Sequence, residues 1–523
     1  MANELHFPLF HGYVDRWLVS GVTETPVITK PTALHGAENE KLNTAPKDKP
    51  GEEQFKAERR AKATAWPAQL DTRPGGLVGG ADNATPFTVY WPFDDIGVTY
   101  AWDCETPACL SAWAYTELDA AEAGSVPFDL ITCGGAALWL NGEKLTEVTP
   151  YHHNEPVPTL LTLPLQKGRN KLLVFFDNYA ERDATIILRL RWKGEGAAPE
   201  QVIPVGEADA ARLAEAEHLM RSLAFHRNHF TAGPVLLDYD GADIAESYHL
   251  AFVGGTEENV KGGVLFRREA DTLPHASQIS LGDCKTFPLA FLLLQVTTEV
   301  EGIRLTRPIS VEIHTESVLP RALPTVAERK RQALELLARW GEQNTNRALA
   351  ILATGGDTAE AEKLLAVQSD YIRRRFDCSD FYLVYYPYIL RTFGKRGSGI
   401  LSEKTENELT DCLLGFRYWI DEPGNDAMWF WSENHALMFH TCQLLAGELF
   451  PDEVFTNSGL TGRQMQAKAK NMLYDWFVTF RKEGFTEWNS SPYLPIDTLG
   501  FGSLYAFAQD PAMRELGREG MDF

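Results

Sequence analysis

The order of apolar and polar positions divides the chain near residue 320. Up to about Thr315, short β-branched and aromatic runs such as "FTVYWPF", "AALWLNGEKL", "NKLLVFFDN" and "ATIILRLRW" are separated by Gly, Asn and Asp, the texture of antiparallel strands and turns. Asn141-Gly142 offers the positive φ angles of a tight hairpin between Trp139 and Leu145. Residues 1–197 read as a jelly-roll-like β-sandwich, interrupted over about 36–76 by a polar, charged insertion not expected to join a core. "GEADAARLAEAEHLMRSLAF" predicts a helix within a linker at 198–230, and a second β unit follows at 231–318.

Residues 322–523 carry helical periodicity. Thr325 and Glu328 form a capping box, and further helix starts are expected at Ser379, Ser432 and Ser491, the last with Pro492 in the favoured first helical position. A recurrence of about 55 residues fits hairpins of one apolar inner and one amphipathic outer helix, which close into an (α/α) toroid with the helix starts on one rim. Only about four hairpins fit, and a ring of six needs on the order of a hundred more residues, so the toroid is expected to be incomplete or open. The expected fold class is thus multidomain α+β, an N-terminal β-sandwich region followed by a C-terminal (α/α) toroid of helical hairpins.

The 523 residues are 44% hydrophobic and 11% aromatic, with 13 Trp, enough for several cores and for ring-lined sugar clefts. A formal charge of −23, with no basic stripe, excludes nucleic acid and anionic membrane as partners. No apolar run reaches the length of a membrane span and no basic-then-apolar leader opens the chain. A cytoplasmic location is the default expectation, and a secreted or periplasmic one follows if a signal was removed. Seven scattered cysteines read as reduced, mostly buried thiols. The sequence does not set the oligomeric state.

The rim of the expected toroid gathers the polar chemistry. "MWFWSENHALMF" places Glu433, Asn434 and His435 in the first turn of an inner helix, behind Trp429 and Trp431. The next hairpin brings "FTEWNSSPYLP", with Glu487, Trp488, Asn489 and Tyr493, and the preceding one brings Arg375, Asp380 and Tyr382. Plainer roles compete: a carboxylate suits any helix N-terminus, and the tryptophans can be core. His435 is harder to dismiss, because an imidazole at a positive helix end tends to stay neutral, as a base should. His440 reads as a core histidine. His226 and His229, three residues apart, lack an evident third metal ligand, and "GGLVGG" has no phosphate-loop context.

Over roughly the last hundred residues this motif resembles the α/α-toroid polysaccharide lyases. Asn434-His435 is similar to the adjacent Asn-His pair of the alginate lyases of that fold, and Tyr493 falls where their catalytic Tyr would stand. The resemblance implies β-elimination on a uronate-containing glycan: Asn434 neutralises the uronate, His435 assists or acts as base, and Tyr493 passes the proton to the leaving oxygen. Trp431, Trp488, Asn489, Tyr382, Arg375 and Asp380 would line the subsites, with Glu433 and Glu487 close by. The scheme requires no metal or other cofactor. One departure is that Glu487, not an Arg, lies nearest Tyr493. A β-domain followed by a toroid also resembles several inverting glycoside hydrolases, where Glu433 and Glu487 would be the acid–base pair. A non-catalytic glycan-binding protein is the third reading.

Overall fold

The computed structural model describes residues 3–27, 50–93, 95–242, 244–254, 266–314 and 325–523. They fall into two compact units, a β-rich one up to residue 314 and a helical one from 325, so the protein is mixed α+β.

In the β-rich unit, alternating apolar positions build two antiparallel sheets around one core. The central strands Ala108–Ala120 and Gly168–Ala180 pair along their full length. Ala112, Ala114, Leu172, Val174 and Phe176 meet Phe128, Leu130, Leu163, Ile186 and Leu188 of the sheet formed by Val157–Leu165, Gly124–Thr132 and Asp183–Trp192. The Asn141-Gly142 turn has the expected positive φ angles, 51° and 87°, and joins Gly135–Leu140 to Glu143–Val148.

The insertion departs from expectation. Its part before residue 50 lies outside the described residues, but Pro50–Ala61 is a helix, α1, that docks on the sandwich. The outer face of the central sheet bears Trp113, Trp139 and Phe175 and needs cover. Phe55 packs against Tyr151 and Tyr179 at centroid distances of 5.6 Å, and Trp66 sets its edge on Trp139 at 5.9 Å. Arg59 donates to Asp177 at 2.6 Å and to Glu147 at 2.7 Å. The buried Asp177 also accepts from Tyr151 Oη and the Gly135 amide.

The segment read as a helical linker opens instead with a strand. Glu200–Pro204 pairs with Glu4–Phe7, in register Leu5↔Ile203, before α2 (Ala210–Ser222) begins. Asp209 caps α2 through the amides of Ala211 and Arg212. A three-stranded and a five-stranded sheet follow, and α2 packs on strands Phe291–Val300 and Ile303–Ile313.

The helical unit contains α3 (Val326–Trp340), α4 (Thr345–Thr354), α5 (Thr358–Arg373), α6 (Ser379–Leu383), α7 (Tyr386–Phe393), α8 (Glu403–Gly415), α9 (Glu433–Leu449), α10 (Gly462–Glu483), α11 (Leu494–Phe507) and α12 (Pro511–Asp522). Covered on every side, α9 is buried from Asn434 to Leu449 except at Ala436 and touches α6, α7, α10 and α11. By contrast α10 is amphipathic and opens with a Thr461/Gln464 capping box. The Thr325/Glu328 box is present at α3. Among the described residues no helix is long and apolar enough to cross a membrane, and all seven cysteines are free thiols, five of them buried.

Two expected helix starts move. Ser379 does not cap α6, because Cys378 precedes it in a left-handed conformation and the Ser379 hydroxyl bonds back to Phe376. α11 begins at Leu494, not after Ser491, with Tyr493 in the cap position and Pro495 in its first turn.

Candidate active site

Ser432 caps α9 by accepting the His435 amide at 3.3 Å, and its hydroxyl donates to Asn434 Oδ1 at 2.8 Å. The carboxylate of Glu433 turns outward onto the chain that follows α10. It accepts the Thr486 amide at 2.6 Å, the Thr486 hydroxyl at 2.5 Å and the Glu487 amide at 3.5 Å. Glu433 therefore clamps the 486–487 segment to the head of α9, while Trp476 of α10 donates to its carbonyl. Asn434 completes the link, its side-chain amide donating to Glu487 Oε2 at 3.4 Å.

His435 is 4% exposed. Its ring stacks on Phe381 with centroids 4.4 Å apart, and Nδ1 lies 2.9 Å from Asp380 Oδ2. Asp380 is fully buried; burial pushes its carboxyl above the ordinary range, and the His435 contact opposes this. Nε2 looks toward Asp377 Oδ1, 4.0 Å away. Asp380 therefore does not line a subsite as expected: it sits behind His435 and fixes the ring.

A carboxyl that sequence reasoning missed completes the cluster. Asp497, in the first turn of α11, is 1% exposed, and its Oδ1 has no hydrogen-bond partner among the described residues. Burial, reinforced by the charges of Glu433 and Glu487, lifts it to about 7. Glu487 is raised as well, by burial and then by Glu433, against the pull of the Asn434 amide and His435. The signal was weak in sequence, because the start of α11 was set at Ser491 and the two glutamates lie elsewhere in the chain.

The remaining expected residues divide. Trp488 is 75% exposed, Asn489 is exposed with a φ of 56°, and Tyr493 is 39% exposed at the head of α11. Trp431 packs on Trp429 and on the helical core. Tyr382 is partly buried against Tyr371, and burial raises its phenol. Arg375 is drawn away from the expected subsite: its guanidinium donates to Asn457 at 2.7 Å and approaches Asp426 and the Gly415 carbonyl at 3.5 Å. His440 is a core residue, its ring 4.3 Å from that of Trp419. His226 pairs with Asp238 at 2.8 Å.

No protein-family model matches the chain, and no curated protein sequence matches it. Similar solved structures include a GH31 alpha-xylosidase from Xanthomonas citri, at 17% identity over 23% of this chain with a TM-score of 0.13. They also include a beta-glycosidase from Bacteroides vulgatus, at 10% over 59% with 0.15, and the Parabacteroides merdae beta-glucuronidase, at 11% over 54% with 0.14. The alignments span 14%, 34% and 42% of those chains. Likeness at this level says nothing of fold or function.

Proposed function

We propose that the chain is a carbohydrate-active enzyme that hydrolyses glycosidic bonds, its helical unit forming an open arc of an (α/α) toroid. The observation that supports this reading is the carboxyl cluster at the heads of α9 and α11, in which Asp497 keeps its proton near neutral pH. Hydrolysis of a glycosidic bond needs one protonated and one ionised carboxyl. Asp497 is the proton donor to the leaving oxygen, and the more accessible Glu487 takes a proton from the attacking water. Glu433, with its oxygens held by the 486–487 segment, is the positioning group and not half of the pair.

Elimination remains the second reading, favoured by the partly exposed Tyr493 at the head of α11, the helix after α10. Electrostatics weigh against it. Asn434 already serves Ser432 and Glu487, and a uronate brought to Glu433, Glu487 and Asp497 would add a fourth acidic group.

Incubation with a panel of neutral and uronate-bearing oligosaccharides separates the two. Hydrolysis gains one water and a reducing end, whereas elimination gives an ultraviolet-absorbing unsaturated sugar. Under the hydrolytic reading D497N and E487Q each lose about 100-fold or more in kcat/KM and Y493F loses little. An unsaturated product, or full activity in D497N, refutes it.

A further inference from the structure

Asp377, Cys378 and His435 each offer one donor atom, and these atoms all lie within 4.8 Å of one another. His435 Nε2 is 4.0 Å from Asp377 Oδ1, and Cys378 Sγ is 3.6 Å from Asp377 Oδ2. Bonds of about 2.0–2.3 Å in tetrahedral zinc coordination hold donor atoms roughly 3.3–3.8 Å apart, so closure around one Asp377 oxygen asks for side-chain shifts of up to about 1 Å.

The geometry points to a transition-metal site formed by Asp377, Cys378 and His435, with Zn2+ as the matching ion. Two adjacent residues converge on one centre because Cys378 adopts a left-handed backbone, φ 65°, ψ 14°, which is uncommon for a non-glycine residue. A nitrogen, a sulfur and an oxygen form a borderline-soft set that suits zinc and its neighbours and not Mg2+ or Ca2+, which prefer oxygen alone. Asp380 supplies the outer support: its hydrogen bond to Nδ1 leaves Nε2 as the ligating nitrogen and fixes the ring plane. Three protein donors leave a fourth position for water or substrate. Cys378 and Asp377 are only partly buried, so a cation can reach them. The site uses none of the carboxyls assigned to hydrolysis, and with Nδ1 on Asp380 and Nε2 on the cation His435 has no nitrogen left to act as the base of an elimination.

The test uses the full chain stripped with a chelator and titrated with Co2+. One equivalent binds with a thiolate-to-cobalt charge-transfer band that Zn2+ abolishes by displacement. The band is lost in C378S and kept in C109S, the other partly buried thiol. D380N, which touches only the outer support, weakens binding by about 10–100-fold. A second measurement needs no variant: Zn2+, but not Mg2+, slows alkylation of Cys378 in the unaltered protein and leaves Cys109 unchanged. Absence of stoichiometric Co2+ binding, a band that survives C378S, or alkylation of Cys378 indifferent to Zn2+ overturns the proposal. A chain that binds zinc yet releases an unsaturated sugar would keep the metal site, refute the hydrolytic reading and leave Tyr493, not His435, to move the proton.

Discussion

At the residue scale, two buried titratable groups pull stability in opposite directions with pH. Asp497 holds its proton to about 7 in the folded chain against an ordinary value of 3.8. Between those values the unfolded chain has released a proton that the folded chain keeps, so stability falls as pH rises through the window. D497N should flatten that fall and exceed the parent above a pH of about 7, by up to about 4 kcal/mol in chemical denaturation. Parallel curves for variant and parent would contradict the assignment. His440 is the mirror case: burial, then Lys468, depress it from 6.5 to about 3. Here the unfolded chain takes up the extra proton, and stability is lost as pH drops below about 6.5. H440L should unfold at lower pH than the parent in an acid titration followed by near-ultraviolet circular dichroism. His440 and the Ser432 cap were legible because burial and capping follow from local pattern. Asp377, Cys378 and Asp497 were not, since their chemistry depends on residues brought from other helices. Arg375 misled for the same reason: a run of three arginines does not say which of them meets Asp426 and Asn457.

At the element scale, α1 shows how a polar segment can be structural. Its polar, charged composition predicts no part in a core, yet Phe55 and Arg59 fit an aromatic sheet face that no local pattern reveals. Burial acts to raise the Glu147 carboxyl, but hydrogen bonds from Lys144, Thr64 and Arg59 outweigh it and hold it at about 2. R59A would leave the buried Asp177 without its cation and should cost about 3–5 kcal/mol, with early protease cleavage within α1. R59K should recover only part of this, because one ammonium cannot serve both carboxylates with the same fork. An R59A protein as stable and protease-resistant as the parent would show the docking to be superficial. Helix α9 was the most readable element, being rich in apolar residues round its whole circumference and opened by a capping serine. The head of α11 was misplaced by a few residues, because Pro492 and Pro495 compete as start signals.

At the scale of the molecule, the change of texture near residue 320 corresponds to two units with separate cores. Calorimetry should therefore give an unfolding enthalpy larger than the van't Hoff value, and R59A should shift only the transition of the β-rich unit. A single transition that moves as a whole in R59A would contradict this. The broad division was visible because strand and helix periodicities differ over hundreds of residues, whereas the pairing of distant strands leaves no mark in either segment. The strand Glu4–Phe7 is the clearest instance, its register running Leu5 to Ile203. During synthesis it must wait, its hydrogen-bonding edge open, until the chain beyond residue 203 has cleared the ribosome. Crowding at that stage favours capture of the waiting edge by a second nascent chain, so aggregation on overexpression should ease at reduced inducer and with a holdase present.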